Sequence, residues 1–405
     1  MKNVLYLSYD GMTDPLGQSQ VLPYLIGLSK KGFQFTLISF EKPDRYSQEK
    51  SKIESLCIEH NIHWKPLIYT KNPPVISTII DIRKMRKTAF TLHQQKRFQL
   101  VHCRSYISAL IGLKLKREKG VKFLFDMRGF WADERVEGKI WNIQNPLFKS
   151  IYSYFKKKER TYFEESDAIV SLTEIGKSEI LSWNLTAVTS EKIRVIPCCV
   201  DLNLFDPEKI DPELLYQKKQ EYQLTDQYVV GYVGSIGTWY QLREMLLAFK
   251  HITHLKPNAL FLFVTKESPS IIQQEAKELG INPDAIRVVS VTHQKVPSYI
   301  SLFDCSIFFI RPSFSKKASS PTKQGEIMAM GIPLICNAGV GDTDEIVMRY
   351  HSGFVLKDTN EASLSSFSLD FADFNRELTM QGAKEYFGLE HGVESYFKIY
   401  DQFVG

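Results

Sequence analysis

Hydroxyl, cationic and acidic side chains crowd one short stretch of the chain, at Ser320, Thr322, Lys323 and Glu326. Ser320, followed by Pro321, is the predicted N-cap of a short helix. The first turn of a helix leaves backbone N–H groups unpaired, and with a hydroxyl and a lysine beside them these groups suit a phosphate. Glu326, one turn further along, supplies an acceptor of the kind that a ribose diol needs. An ordinary capped helix with a surface Lys–Glu pair has the same pattern, so the rest of the chain must decide.

Two predicted strands are each followed by a segment that contains glycine. Val4–Leu7 leads into a predicted loop in which Gly17 allows close backbone approach and Gln18 offers polar contacts. A plain connecting loop explains that segment nearly as well. In the second half of the chain, an apolar strand leads to Gly234 and Ser235, which suit a phosphate. Open α/β sheets bind ligands at the carboxyl ends of their strands, where both segments would lie.

Strand and helix patterns alternate along the chain, which predicts an α/β protein. At 405 residues the chain is longer than one core usually organises, so two domains are expected. We predict two doubly wound Rossmann-like domains, at 1–200 and 201–385, that face an interdomain cleft. The second would bind a nucleotide, and 386–405 is a predicted C-terminal helix. The aperiodic segment at 198–209 is the predicted linker.

A dense group of charged and aromatic residues follows the strand predicted at 121–125. It begins at Asp126 and includes Arg128. The preceding strand ends with His102 and Arg104. The end of a strand is a suitable place for a substrate site. Structural salt bridges are the alternative explanation for the same residues.

Positive charge is concentrated in the first half of the chain. Residues 1–200 hold 32 Lys and Arg against 20 Asp and Glu, whereas residues 201–405 hold 19 against 26. The helix predicted at 75–97 carries much of this charge, interleaved with apolar residues. Such a helix suits an anionic membrane surface, and the solvated face of a core helix is the alternative. The charge also suits a polyanionic acceptor, and we expect no nucleic-acid partner.

The composition is that of an ordinary globular protein, with 43% hydrophobic and 24% charged residues. No apolar run is long enough for a transmembrane helix, and the apolar start is too short for a signal peptide. The six cysteines show no metal-binding spacing and lie mostly in apolar strands, as reduced core thiols do. We therefore expect no metal site and a cytoplasmic protein, associated at most peripherally with the inner face of the cell membrane.

The sequence lacks the motifs that are typical of several enzyme classes. No Walker lysine motif and no Gly-x-Gly-x-x-Gly fingerprint after a strand occurs, which argues against ATP hydrolysis and against a dehydrogenase. No Gly-x-Ser-x-Gly elbow occurs either. What remains is a reaction whose leaving group is a nucleotide phosphate. Lys323, Arg311 and the helix N-terminus would stabilise the charge on that group.

Over nearly its whole length the chain resembles the retaining GT-B glycosyltransferases of family 4. The resemblance rests on Val4–Ser8 with the Gly17 loop, Leu100–Arg104, Phe125–Glu134, Ile196–Asp201, Tyr232–Ser235, Val296–Tyr299, Leu302–Asp304 and Ser320–Asn337. It implies that the first domain, 1–200, binds the acceptor and that the C-terminal helix crosses back onto this domain. It also implies sugar transfer from a nucleotide-sugar donor, with retention at the anomeric carbon and with no obligatory metal or cofactor.

Four positions depart from the family's pattern. Glu326 matches the second of two family glutamates, at the ribose-binding position, but Ala318 stands in place of the first, which usually contacts the donor sugar. Ser235 and Tyr240 stand roughly where the family has the arginine and lysine that hold the pyrophosphate. Arg128 replaces the usual catalytic histidine and would bind the donor sugar or its carboxylate. The two replaced phosphate ligands suggest an unusual donor, such as a CMP-linked acidic sugar.

The residue patterns and the resemblance together predict a set of site residues. Those expected to bind the donor are Gly17, Gln18, Gly234, Ser235, Arg311, Lys316, Ser320, Thr322, Lys323 and Glu326. Those expected to be catalytic are Arg128, Lys323 and Glu326. The phosphate charge would be met by Arg311, Lys316, Lys317 and Lys323.

The predicted function is transfer of a sugar to a glycan or lipid-linked acceptor in surface-polysaccharide assembly, with UDP, GDP or CMP as the donor nucleotide. Two alternatives stay open. A nucleotide-sugar epimerase can share this fold and would need no acceptor. A non-catalytic partner subunit would keep the fold without the chemistry, as the departures from the family's pattern allow.

Overall fold

The structure is a computed structural model that describes residues 2–404. The chain forms two compact units. The first unit contains the chain as far as Pro197, together with Lys317–Ser319 and the C-terminal segment from Leu389. The second unit contains Cys198–Lys316 and Ser320–Gly388.

The first unit is built on a parallel sheet of seven strands. These are β1 (Lys2–Ser8), β2 (Phe33–Glu41), β3 (His63–Ile68), β4 (Leu100–Arg104), β5 (Lys122–Asp126), β6 (Ala168–Ser171) and β7 (Ile193–Val195). Their order across the sheet is β3-β2-β1-β4-β5-β6-β7. The winding direction reverses between β1 and β4, and doubly wound folds bind ligands at the carboxyl ends of such a strand pair.

The second unit is built on a parallel sheet of six strands. These are β8 (Tyr228–Val233), β9 (Ala259–Val264), β10 (Ile286–Val289), β11 (Cys305–Phe308), β12 (Leu334–Asn337) and β13 (Gly353–Leu356). Their order is β10-β9-β8-β11-β12-β13, so the winding reverses between β8 and β11. The predicted class, two doubly wound α/β domains, is confirmed.

Helices connect the strands of both sheets. They are α1 (Pro15–Gln20), α2 (Leu22–Ser29), α3 (Pro43–Glu59), α4 (Ile76–Lys96), α5 (Ser105–Lys119), α6 (Trp131–Glu137), α7 (Pro146–Glu165), α8 (Glu174–Ser182), α9 (Pro212–Glu221), α10 (Leu242–Leu255), α11 (Pro269–Glu278), α12 (Val296–Ile300), α13 (Thr322–Ala329), α14 (Thr343–Arg349), α15 (Glu361–Leu364), α16 (Arg376–Gly382) and α17 (Leu389–Val404). Short 3₁₀ turns and one π-helical turn, Ala383–Phe387, are the other helical elements of the described residues.

The strands of the two sheets are apolar at the core because helices cover both faces of each sheet and keep the strands from water. Every residue of β9 is buried, for example, and its sequence Ala-Leu-Phe-Leu-Phe-Val is apolar throughout. Parallel strands that are covered on both faces have such continuous apolar runs. All six cysteines are buried and form no disulfide with one another.

The C-terminal helix α17 belongs to the first unit, where it packs against α2. Gly27 permits this contact, since a Cβ atom at that position would lie 2.6 Å from Cγ2 of Val393. The hydroxyl of Tyr400 lies 2.6 Å from Nδ1 of His102 in β4. The end of the chain is therefore fixed to the sheet of the first unit by both packing and hydrogen bonding.

Candidate functional site

The predicted phosphate-binding helix is α13, and its first turn differs from the prediction. The helix begins at Thr322, Pro321 takes the N-cap position, and no side chain caps it. The hydroxyl of Ser320 instead accepts a hydrogen bond of 3.2 Å from the backbone N–H of Cys198. The prediction that Ser320 caps the helix was wrong because Pro321 occupies that position. Thr322 is half-buried in the first turn.

Lys323 lies in an aromatic cage and is only 6% exposed. Its ammonium Nζ donates a hydrogen bond of 2.8 Å to the hydroxyl of Tyr232. It also lies 4.0 Å from the ring centroid of Tyr232 and 3.5 Å from that of Tyr240. These short distances are favourable for a cation on a desolvated aromatic face. The side chain is therefore held in one place before any ligand arrives.

The glycine segment after β8 adjoins this lysine. Gly234 has a φ of 106°, and a Cβ atom there would lie 3.3 Å from Nζ of Lys323. The neighbouring Ser235 is exposed, and its backbone carbonyl accepts a hydrogen bond of 2.6 Å from the Tyr232 hydroxyl. The structure therefore brings Gly234, Ser235 and Lys323 together at the carboxyl edge of the second sheet. Their contact with a donor stays a prediction.

Burial lowers the pKa of Lys323 well below its ordinary value, and the nearby Glu326 carboxylate opposes this effect. Burial disfavours the charged form of an amine, whereas a nearby anion favours it. A phosphate placed at Lys323 would therefore favour the protonated amine.

Glu326 lies on the same helix, as predicted, and it is buried. Its partner is a histidine that the sequence did not single out. Oε1 of Glu326 accepts a hydrogen bond of 3.2 Å from Nε2 of His293. His293 lies just after the carboxyl end of β10, and its side chain is 44% exposed. Its ring packs against Phe205, with 5.5 Å between the ring centroids. Its position after a strand end was the one available sequence signal for His293.

Two further cations gather on Trp239, one residue before Tyr240 of the cage. The guanidinium carbon of Arg311 lies 5.0 Å from the ring centroid of Trp239, and Nζ of Lys316 lies 3.8 Å from it. The backbone N–H of Arg311 also donates to the Trp239 carbonyl at 3.0 Å. The loop after β8 thus carries two adjacent aromatic residues that contact three cations, Lys323 on Tyr240 and the other two on Trp239.

Ala318 and Lys317 form part of the short turn Ser315–Ala318, which precedes α13. Ala318 is completely buried. A glutamate in its place would bury a carboxylate, which is costly unless that carboxylate is paired. Lys317 pairs with Glu179 at 2.8 Å, so its charge is already matched by a carboxylate.

Gly17 and Gln18 lie in helix α1, so the prediction that they lie in a loop was wrong. Pro15 occupies the first turn of α1, where proline favours a helix. A Cβ atom on Gly17 would lie only 2.2 Å from the carbonyl oxygen of Gly11, so packing within the chain itself requires this glycine. Gln18 donates to the carbonyl of Thr13 at 3.3 Å.

The predicted charge cluster of the first unit forms at the carboxyl ends of three neighbouring strands. Arg104 is in register with Asp126, and its Nε donates to Oδ2 of Asp10 at 3.1 Å. Arg128 has a left-handed φ of 56°, and its Nη1 lies 3.9 Å from Oδ1 of Asp126. His102 is buried beside Asp126, and this burial lowers its pKa. The cluster contains two guanidinium groups and two carboxylates, which alternate in sign.

The described residues offer neither a metal cluster nor a membrane-spanning helix. Within residues 2–404, no group of three or more His, Cys, Asp or Glu side chains is arranged to hold a metal ion. No helix of that part of the chain is long and apolar enough to cross a membrane. Independence from metal and cofactor stays a prediction.

Two protein-family models match the chain. Residues 21–204 match the model described as glycosyltransferase family 4, and residues 216–370 match the model described as glycosyl transferases group 1. A search for similar sequences among curated proteins found no match.

Solved structures with this fold include a sucrose-phosphate synthase, a protein in complex with UDP and glucose, and an epimerase. Sucrose-phosphate synthase from Thermosynechococcus elongatus matches with a TM-score of 0.73 at 16% identity, over 99% of each chain. HepE from Anabaena, solved with UDP and glucose, matches with a TM-score of 0.70 at 12% identity, also over 99% of each chain. UDP-GlcNAc 2-epimerase from Neisseria meningitidis matches with a TM-score of 0.59 at 12% identity, over 99% of each chain. At these identities the likeness concerns the fold, whereas the family models match the sequence of both halves. The chain belongs to the GT-B glycosyltransferases, in the family described by glycosyltransferase family 4 and glycosyl transferases group 1.

Proposed function

We propose that this glycosyltransferase binds its nucleotide-sugar donor on the second unit, at the carboxyl edge of the sheet, and transfers the sugar with retention of configuration. The observation that carries the proposal is the position of Lys323. Its amine is buried in an aromatic cage and lies beside Gly234, where a glycine permits close backbone approach. A buried amine with an acidic residue one turn away is a combination suited to a phosphate and a ribose.

In the proposed reaction, negative charge grows on the nucleotide phosphate as the bond to the anomeric carbon breaks. Lys323 and the N–H groups at the start of α13 stabilise that charge, and stabilisation of this kind counts most in a site that excludes water. Glu326 accepts hydrogen bonds from the ribose hydroxyls. His293, which donates to one oxygen of Glu326, holds the carboxylate in place.

The number of donor phosphates depends on how many cations reach them. Lys323 alone suits one phosphate, as in a CMP-linked acidic sugar. A diphosphate of UDP or GDP would also draw on Arg311 and Lys316, which lie on the adjacent Trp239. Arg128 is the proposed contact for the donor sugar or its carboxylate.

For the acceptor we propose a glycan or a lipid-linked glycan of surface-polysaccharide assembly, used at an anionic membrane surface. The support is the outer face of α4. Ile76, Ile79 and Ile80 are exposed there by 55%, 44% and 37%, and exposed Arg83 and Lys87 continue the same face one and two turns later. Apolar side chains followed by cations suit an anionic bilayer.

Binding to vesicles of pure lipid tests this surface. The triple variant Ile76→Ser, Ile79→Ser, Ile80→Ser is expected to lose sedimentation with anionic vesicles. Ile271→Ser, at a site that is 53% exposed in the second unit, serves as the control and is expected to keep it. Equal binding to anionic and zwitterionic vesicles, or full binding by the triple variant, contradicts the proposed membrane surface.

A transfer assay separates the proposed reaction from its alternatives. Incubation with UDP-, GDP- and CMP-sugars is expected to give product only when an acceptor is present, and NMR of the product should show the anomeric configuration of the donor. Interconversion of the donor sugar without any acceptor would favour the epimerase. A partner subunit without catalysis would bind nucleotides no more tightly than millimolar, and Glu326→Ala would leave the polysaccharide unchanged. Turnover of UDP-sugars alone, or equal turnover of CMP- and UDP-sugars, would rule out a dedicated CMP donor.

A further inference from the structure

The two oxygens of the buried Asp126 carboxylate have different surroundings. Oδ2 accepts a hydrogen bond of 3.0 Å from the Tyr396 hydroxyl and lies 3.3 Å from Nε2 of His102. Oδ1 is buried and has no hydrogen-bond partner among the described residues, but it faces Nη1 of Arg128 at 3.9 Å. One oxygen is therefore fixed by neutral donors, and the other is directed at the guanidinium.

Tyr396, which donates the hydrogen bond to Asp126, lies in α17, the last helix of the chain. Tyr396 is buried, and its ring meets that of Tyr24 edge-on, with 5.5 Å between the centroids. One turn later, the Tyr400 hydroxyl bonds to the other ring nitrogen of His102 at 2.6 Å. Two tyrosines of α17 therefore hold Asp126, one directly and one through His102.

We propose that Tyr396 is a positioning residue: through Asp126 it holds Arg128 in the orientation that sugar transfer requires. This inference rests on the role proposed above for Arg128. The backbone of Arg128 is in the left-handed region, at a φ of 56°, which a non-glycine residue adopts only when its surroundings enforce it. The attraction of Arg128 to a fixed carboxylate supplies such a constraint.

The charge of Asp126 is essential to this arrangement. Although burial alone would raise its pKa, the charge of Arg128, the hydrogen bond to His102 and the charge of Arg104 together lower the pKa of Asp126 below its ordinary value. The other titratable groups that share this site are Tyr6, Asp10, Tyr396 and Tyr400. Hydrogen bonds to an ionised carboxylate favour that form, so removal of the Tyr396 hydroxyl is expected to raise the pKa of Asp126.

The variant Tyr396→Phe removes only the hydroxyl and tests the proposal. Because a hydrogen bond to a charged group is involved, kcat is expected to fall by roughly tenfold, with little change in the KM of the acceptor. The acid limb of the kcat profile should also move to higher pH, since Asp126 would then stay protonated further up the pH scale. Asp126→Asn, which removes the charge at nearly constant shape, should lower kcat at least as much.

The control is Tyr24→Phe, another buried tyrosine, whose hydroxyl bonds to the Pro197 carbonyl at 3.4 Å. It should leave kcat and its pH profile unchanged. If Tyr396→Phe has the same kcat and the same pH profile as this control, the proposal is wrong. It is also wrong if Tyr396→Phe loses kcat in proportion to a lower Tm and its pH profile does not shift. If Arg128→Lys retains full kcat while Tyr396→Phe loses it, Tyr396 acts on something other than Arg128, which overturns the inference as well. If Arg128→Lys loses kcat and Tyr396→Phe does not, the positioning role of Tyr396 is overturned, whereas the proposed role of Arg128 is not.

Discussion

Lys323→Met should stabilise the ligand-free protein and weaken nucleotide binding. The substitution keeps much of the side-chain volume but removes the charge and the hydrogen bond of 2.8 Å to Tyr232. A buried amine without a carboxylate in hydrogen-bonding contact carries a desolvation cost. Even the replacement of a buried ion pair by apolar residues of similar volume is often neutral or stabilises a protein by about 1–4 kcal/mol. The free energy of unfolding should therefore rise by an amount within that range.

The pH dependence of this gain follows from the lowered pKa of Lys323. Between its pKa in the folded protein and its higher pKa in the unfolded chain, the unfolded chain binds the additional proton, so stability rises with pH. The free-energy cost of burying the charged amine is thus present in full below the pKa of Lys323 in the folded protein. It vanishes above the pKa of Lys323 in the unfolded chain. The gain from Lys323→Met should be largest at low pH and should decline towards alkaline pH.

Nucleotide affinity should change in the opposite direction. A hydrogen bond to a charged group contributes about 1.5–3 kcal/mol, and about 1.4 kcal/mol corresponds to a tenfold change in Kd. The Kd of the preferred nucleotide should therefore rise by roughly ten- to a hundredfold, measured by titration calorimetry. Urea unfolding at several pH values gives the stability, and Lys250→Met on the exposed face of α10 is the control. Lower stability together with an unchanged Kd would refute the placement of the phosphate at Lys323.

Three further changes have defined outcomes. Lys323→Ala should lower kcat more than it raises the acceptor KM, and steady-state kinetics that show the reverse would contradict a phosphate contact. Gly17→Ala should destabilise the first unit by about 1–3 kcal/mol in urea unfolding, because its Cβ would meet the Gly11 carbonyl at 2.2 Å; unchanged unfolding would show that α1 can shift. Gly27→Ala places a Cβ 2.6 Å from Val393, so faster hydrogen exchange in α17 is expected, and unchanged exchange would show that the contact does not hold the helix.

Local patterns in the sequence were sufficient to predict most of the strands and helices of the fold. Apolar runs bounded by glycine or proline predicted the central strands, because both faces of these strands are covered. The edge strand β3, His63–Ile68, escaped prediction because its residues are half-buried or exposed and form no apolar run. Helix α1 escaped because Pro15 and Gly17 are usually signs of a loop, whereas Pro15 lies in the first turn, where proline is tolerated.

The candidate site was predictable only as separate pieces. Lys323, Glu326 and Gly234 were each recognisable from their position at a helix start or after a strand. The aromatic cage was not, because Tyr232 lies 91 residues from Lys323 in sequence. The pairing of Tyr396 with Asp126 spans 270 residues. Contacts of this kind depend on how helices and strands meet, which periodicity and spacing do not encode.

The most direct test of the account is thermal unfolding of the wild type, Glu326→Ala and the control Glu361→Ala with UDP, GDP and CMP. A ligand at a hundred times its Kd stabilises the folded state by about 2.7 kcal/mol. Nucleotides of one base are expected to raise the Tm of the wild type and of Glu361→Ala, whose substitution is at an exposed site on α15. They are not expected to raise the Tm of Glu326→Ala. If no nucleotide raises the Tm, or if Glu326→Ala responds as the wild type does, the nucleotide site proposed at Lys323 and Glu326 is contradicted.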